Sequence, residues 1–199
     1  IAIEDTQTAL LRLIEVTKRK TAASVLSKPI ANLETELAHI FVLQGFALIK
    51  ALSPLRKLLQ ESALTDQFDN IFDKATFDTS ADMLGVLEKA YSSTLLLGAK
   101  NQLAELGFKI VFGLDNPRAA QYIKQYGAKQ ITQIDDTTKS DIRSLLQAGI
   151  ENGTSYDQIA KSIKDRFSAF GSPKPQQHIR SRAHLIAVTE LANAYQTGN

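Results

Sequence analysis

This sequence predicts a mainly α-helical fold: a bundle of long helices first, a compact cluster of shorter helices after it, and at most one or two short strands. Three observations lead there. Apolar residues recur at three- and four-residue steps through most of the chain, the period of one face of a helix. Glycine and proline are sparse, 10 and 5 in 199 residues, so few positions force a break. Short boxes of Ser or Thr followed three residues later by an acid stand ahead of apolar runs, as helix starts do.

In chain order, Leu10, Leu13 and Ile14, with Thr17 on the same face, make residues 4–20 an amphipathic helix. Lys18, Arg19 and Lys20 close it with cations suited to a helix C-terminus. Residues 30–61 form a second long pattern, which Pro54 should kink or end near Ser53. Within it, Leu37–Ile49 is the most apolar stretch. It is too short to cross a bilayer, which takes about 20 apolar residues, and reads as a core helix. Asp66–Lys74 fits a short helix. Ser80 is placed to cap another that runs to Leu106 through Met83, Leu84, Leu87, Ala90, Tyr91, Leu95 and Leu97, with Gly107 at its C-cap.

Phe108, Ile110 and Phe112 alternate between Gly107 and Gly113, a short-strand signature. A domain boundary is placed here, giving an N-terminal helical region, 1–113, and a second module, 114–199. Asn116-Pro117 opens the second module as N-cap and first helical residue. Thr138–Asp141 and Thr154–Asp157 are capping boxes for two further helices, separated by Gly153. The loop Gly171-Ser-Pro-Lys-Pro175 precedes a last helix from about Gln177 to Tyr195.

Composition excludes several chemistries. Hydrophobic residues are 44% and charged residues 22%, a globular balance. With no cysteine, disulfides, thiolate zinc sites, iron–sulfur clusters and cysteine nucleophiles are all excluded. No P-loop, HExxH or GxSxG pattern occurs. His178 and His184 are six residues apart, about 600° around a helix, and read as surface histidines rather than metal partners. Asp135-Asp136 has no acid–base partner in the sequence. The expectation is a non-enzymatic chain with no catalytic residue, metal or cofactor. It opens on Ile1 without a Met, as a fragment or trimmed chain would, and shows no signal-peptide pattern.

Net charge is +2, but it is unevenly spread. Residues 161–184 hold Lys161, Lys164, Arg166, Lys174, Arg180 and Arg182 against Asp165 alone. Lys161, Lys164, Arg166, Lys174 and Arg180 are therefore candidates for contact with a partner or with DNA phosphates.

The last helix carries a longer pattern: Arg182-Ala183, Ile186-Ala187, Thr189-Glu190, Ala194 and Gly198, or RAxxIAxTExxxAxxxG. It resembles the signature of the phage Mu protein F-like minor head proteins, also called phage head morphogenesis proteins. Upstream landmarks follow the same order: Asn116-Pro117, Ile131, Ile134, Asp135-Asp136-Thr137-Thr138, Ile142-Arg143, Gly153-Thr154-Ser155, Ile159-Ala160 and Ile163. The likeness covers about residues 112–198. It departs at Val188, where members often carry Arg, so no polar role is carried over there. Members also commonly continue beyond this helix into a segment with Trp, Asp-Arg and His landmarks.

The resemblance implies a structural minor head protein of a tailed phage or prophage, acting in head assembly at the portal or capsid interior. Implied partners are the portal protein, the major capsid protein and, as a further candidate, double-stranded DNA. No membrane is implied, and oligomeric state would be set by the assembly. The implied location is the virion, with the host cytoplasm during assembly. The alternative is a helical nucleic-acid-binding module without a virion role.

Within this pattern, Ala183, Ile186, Ala187, Glu190 and Ala194 share one helical face, with Thr189 about 100° away. The alanines let another backbone approach, which places Glu190 in a packing stripe where a free carboxylate is costly. The expected donors to Glu190 are helix N-terminal amides near Thr138 or Thr154, or the guanidinium of Arg143 or Arg182.

Overall fold

The computed structural model describes residues 2–56, 63–107, 117–171 and 181–198. Their regular elements are all helical: α1 (Ala2–Leu52), α2 (Ala63–Glu105), α3 (Pro117–Glu151), α4 (Tyr156–Gly171) and α5 (Arg182–Gly198), with a 3-10 turn at Ser53–Leu55. The protein is mainly α, with a long N-terminal helix. No strand occurs among the described residues. The strand expected at 108–112 and the boundary after residue 113 lie outside them.

Helix ends follow local chemistry. Pro54 is the second residue of the 3-10 turn, Ser53–Leu55, that ends α1. Gly107 follows α2 at φ +76°, its N–H donating to the Ala104 carbonyl at 3.1 Å. Gly153 follows α3 at φ +62°, its N–H donating to Ile150 at 3.0 Å. These are left-handed positions that favour glycine. α4 starts with a reciprocal box one residue later than expected. The Ser155 hydroxyl accepts from the Gln158 N–H at 3.4 Å, and Gln158 Oε1 accepts from the Ser155 N–H at 3.2 Å. α5 is described from Arg182, with Ser181 as its cap rather than a start near Gln177. The His184 N–H donates to the Ser181 hydroxyl at 3.2 Å.

Three expected breaks do not occur. α1 runs through Pro29 without the interruption placed between residues 20 and 30; Leu26 and Leu33 on either side of that proline are both buried. α2 has no gap between Lys74 and Ser80. Thr76 and Thr79 donate to the Phe72 and Thr76 carbonyls at 2.9 and 2.8 Å, so their hydroxyls serve the helix they sit in. Thr138 is likewise no cap. It is buried in the middle of α3 and donates to the Ile134 carbonyl at 2.7 Å.

The helices share one core. Leu37, Phe41 and Leu48 of α1 join Phe72, Met83 and Leu87 of α2, Ile142 and Leu146 of α3, Ile163 and Phe167 of α4, and Ala183, Ala187 and Leu191 of α5. α2 and α4 both pack along α1, α3 lies against α2 and α4, and α5 fits against α1 and α2. The C-terminal helices therefore pack onto the first two instead of standing apart as their own cluster. Two glycines let α1 and α4 approach closely: a Cβ at Gly171 would lie 2.7 Å from Ala38 Cβ, and one at Gly45 would lie 2.9 Å from Phe167 Cβ.

An 18-residue stretch within Ala22–Leu55 is apolar enough, by length and composition, to cross a membrane, with a mean hydropathy of 1.4 and 39% of it buried. In this fold the α1 stripe of Leu33, Leu37, Phe41, Leu48 and Leu52 is buried against the other helices. Gln44, the polar residue inside that stripe, is fully buried, and its Nε2 donates to Asp135 Oδ1 of α3 at 3.5 Å. Ser80 of α2 also hydrogen-bonds Asp135, so one carboxylate joins three helices. Burial raises the pKa of Asp135, against the lowering effect of those two bonds and of Lys139.

Candidate functional site

The patterned face of α5 carries alanine at Ala183, Ala187 and Ala194. Ala183 and Ala187 are fully buried and Ala194 nearly so, while Ile186 is half-buried against the core. Small side chains let α5 lie close to α1 and α2, and larger Leu191 fills the space between them. Gly198 is the last residue of the helix.

Glu190 sits in the middle of this face, 7% exposed. Its donor is none of those expected. The Tyr91 hydroxyl of α2 donates to Glu190 Oε2 at 2.9 Å. Tyr126 of α3 packs edge-on to Tyr91, with ring centroids 5.3 Å apart, and stacks on Tyr122. Its hydroxyl accepts from Asn193 at 3.4 Å and feels the charge of Glu190. Burial first, then the neighbouring Glu190 charge and hydrogen bond, raises the Tyr91 pKa well above its ordinary value. Tyr91 is therefore a protonated donor at neutral pH, which is what a buried carboxylate requires.

Arg182, at the other end of the face, has a different task. Its guanidinium lies over the rings of Phe41 and Phe170, 5.6 and 5.0 Å from their centroids. It donates to the Ile134 carbonyl of α3 at 2.9 Å. Burial lowers its pKa, opposed by the charges of Asp141 and Asp135. Arg182 thus joins α5 to α1, α3 and α4. Arg143 pairs instead with Asp69 of α2.

His184 is not a surface histidine. It is buried, and its Nδ1 donates to Glu34 Oε2 of α1 at 2.7 Å. The Ser181 hydroxyl donates to the other Glu34 oxygen at 3.3 Å. Glu34 escaped sequence reasoning because it lies 150 residues from His184. The outward face of α5 carries Leu185, Val188 and Thr189, all exposed, with Leu185 at 49% and Val188 at 37%.

The basic residues separate into groups. Lys161 and Lys164 of α4 are exposed, and Lys164 Nζ lies 5.8 Å from the centroid of the Phe46 ring, itself exposed. Arg166 is not available in the same way: it donates to Asp141 Oδ1 of α3 at 2.6 Å. Lys174 and Arg180 lie outside the described residues. Among the described residues, no group of three or more His, Asp or Glu side chains is placed to hold a metal ion.

No protein-family model, curated protein or solved structure matches this chain.

Proposed function

We propose that this chain is a structural module of a tailed-phage or prophage head, acting in head assembly at the portal or capsid interior without catalysis of its own. One observation carries the reading beyond the sequence resemblance. The patterned residues Arg182, Ala183, Ala187, Glu190 and Ala194 are engaged in holding α5 to the other helices. A pattern used this way specifies a scaffold. The outward residues of the same helix, Leu185, Val188 and Thr189, are left for contact with a portal or capsid protein. No membrane partner belongs to this reading.

Co-purification with the portal and major capsid proteins encoded beside its gene tests the proposal. Binding that is lost in Leu185→Asp/Val188→Asp with an unchanged melting temperature supports it. No binding to either protein overturns it.

Exposed Lys161 and Lys164 favour a second reading, contact with double-stranded DNA. That binding should weaken steeply with salt, because phosphate contacts release counterions. Lys161→Glu/Lys164→Glu should remove it without touching portal binding.

A further inference from the structure

We propose that Tyr122, Tyr126 and Tyr91 form a path along which a one-electron oxidant at the surface draws an electron from the interior, leaving a sheltered tyrosyl radical at Tyr91 with its proton on Glu190. The chain has no Cys or Trp and a single Met, so its five tyrosines are its main carriers of one-electron oxidation. Three of the five are in ring contact. Tyr122 of α3 is 45% exposed and stacks on Tyr126, with centroids 5.7 Å apart. Tyr126 meets Tyr91 edge-on at 5.3 Å, and Tyr91 is 2% exposed. The rings thus lead from solvent to the middle of α2, one ring contact at a time.

Glu190 separates this path from ordinary aromatic packing. Oxidised tyrosine is a far stronger acid than tyrosine, so its electron leaves readily where the phenolic proton has an acceptor. Tyr91 donates to Glu190 Oε2 at 2.9 Å, and the Tyr126 hydroxyl lies by the same carboxylate. Tyr156 and Tyr195 have no such partner: Tyr156 donates to the Ile49 carbonyl at 3.1 Å, and Tyr195 accepts from Asn101 at 2.9 Å.

The oxidant takes one electron from Tyr122, and the hole passes through Tyr126 to Tyr91 by electron transfer. The Tyr91 O–H bond breaks, and its proton goes to Glu190 Oε2. The products are the reduced oxidant, a neutral phenoxyl radical and a neutral carboxylic acid. A buried negative charge disappears in this step, which favours the products where water does not solvate the site. Leu95, Ile123 and Ala194 share with the three rings a cavity of about 10 Å³. It has room for no more than one water, so reductants larger than that do not reach the radical from this side.

Tris(bipyridine)ruthenium(III), generated by a laser flash beside the full chain, is the oxidant for the test. EPR should detect a tyrosyl radical that outlives the radical of free tyrosine, and it should form more slowly in heavy water. Tyr91→Phe should lose the long-lived signal. Tyr126→Phe leaves Tyr91 bonded to Glu190 but cuts the path, and should lose most of the signal. Tyr156→Phe should leave it intact.

Glu190→Gln gives an independent readout. The amide oxygen still accepts from the Tyr91 hydroxyl but does not take its proton. The variant should keep the wild-type circular dichroism and lose the long-lived radical. A purely structural Glu190 would do the first without the second. Absence of a long-lived radical in the wild type, its survival in Tyr91→Phe, or an undiminished signal in folded Glu190→Gln would each overturn the proposal.

Discussion

The Tyr91 hydroxyl meets the Glu190 carboxylate at 2.9 Å, joining the middle of α2 to the middle of α5 across 99 residues of sequence. Each group makes the other's burial tolerable. Tyr91→Phe leaves a buried carboxylate short of its donor and should cost about 1–3 kcal/mol. Glu190→Ala should cost at least as much, because it also opens a gap in the stripe. In a double-mutant cycle by urea unfolding, Tyr91→Phe and Glu190→Gln should couple by about 0.5–3 kcal/mol. Additive effects would mean that the bond contributes nothing.

Asp135 offers a pH test. Its folded pKa is raised by burial, so the folded state holds this proton more tightly than the unfolded chain does. The contribution to stability is present in acid, below the ordinary carboxylate value of 3.8, and is lost as pH rises through the folded value. Asp135→Asn removes that loss while keeping an acceptor for Gln44 and Ser80. The variant should match or exceed wild-type stability at pH 7, and its advantage should shrink as pH falls toward 4. Melting curves at pH 4, 5, 6 and 7 check the slope.

Arg182 and Arg166 make a controlled pair. Arg182→Lys loses the fit to two aromatic faces and to the Ile134 carbonyl, and should cost about 1–2 kcal/mol. Arg166→Lys alters an ion pair whose arginine side chain is 42% exposed, and should cost less than about 0.5 kcal/mol. Chemical denaturation of both variants side by side should give this order.

Gly45→Ala should destabilise by about 1–3 kcal/mol. The new methyl would meet Phe167 Cβ at 2.9 Å and Cγ at 3.0 Å. Because the first clash is with a Cβ, Phe167→Leu keeps it. The double variant should therefore show no rescue in thermal unfolding.

What could be read in advance divides along physical lines. Pro54, Gly107 and Gly153 act through their own backbone, so the helix ends they mark were legible. Ser and Thr were not, because one hydroxyl can cap the next helix or bond back to its own. Thr76, Thr79 and Thr138 take the second course, and α2 and α3 run unbroken. The alanine stripe around Glu190 announced burial of the carboxylate. Its donor, the Tyr91 hydroxyl, is a matter of which helices meet, and no local pattern encodes that. The pairing of Glu34 with His184 was hidden for the same reason.

The placement of α5 also sets an order of events during synthesis. Its anchors are Glu34 on α1 and Tyr91 on α2, 150 and 99 residues upstream of their partners. A chain growing from its N-terminus therefore leaves the core of α1 and α2, with Leu33, Leu37 and Leu87, incomplete until the later helices emerge. Contacts this distant form late, after the loop-closure entropy has been overcome. Before α3, α4 and α5 have emerged, the nascent α1–α2 pair leaves its share of the core uncovered, the condition in which partly folded chains aggregate.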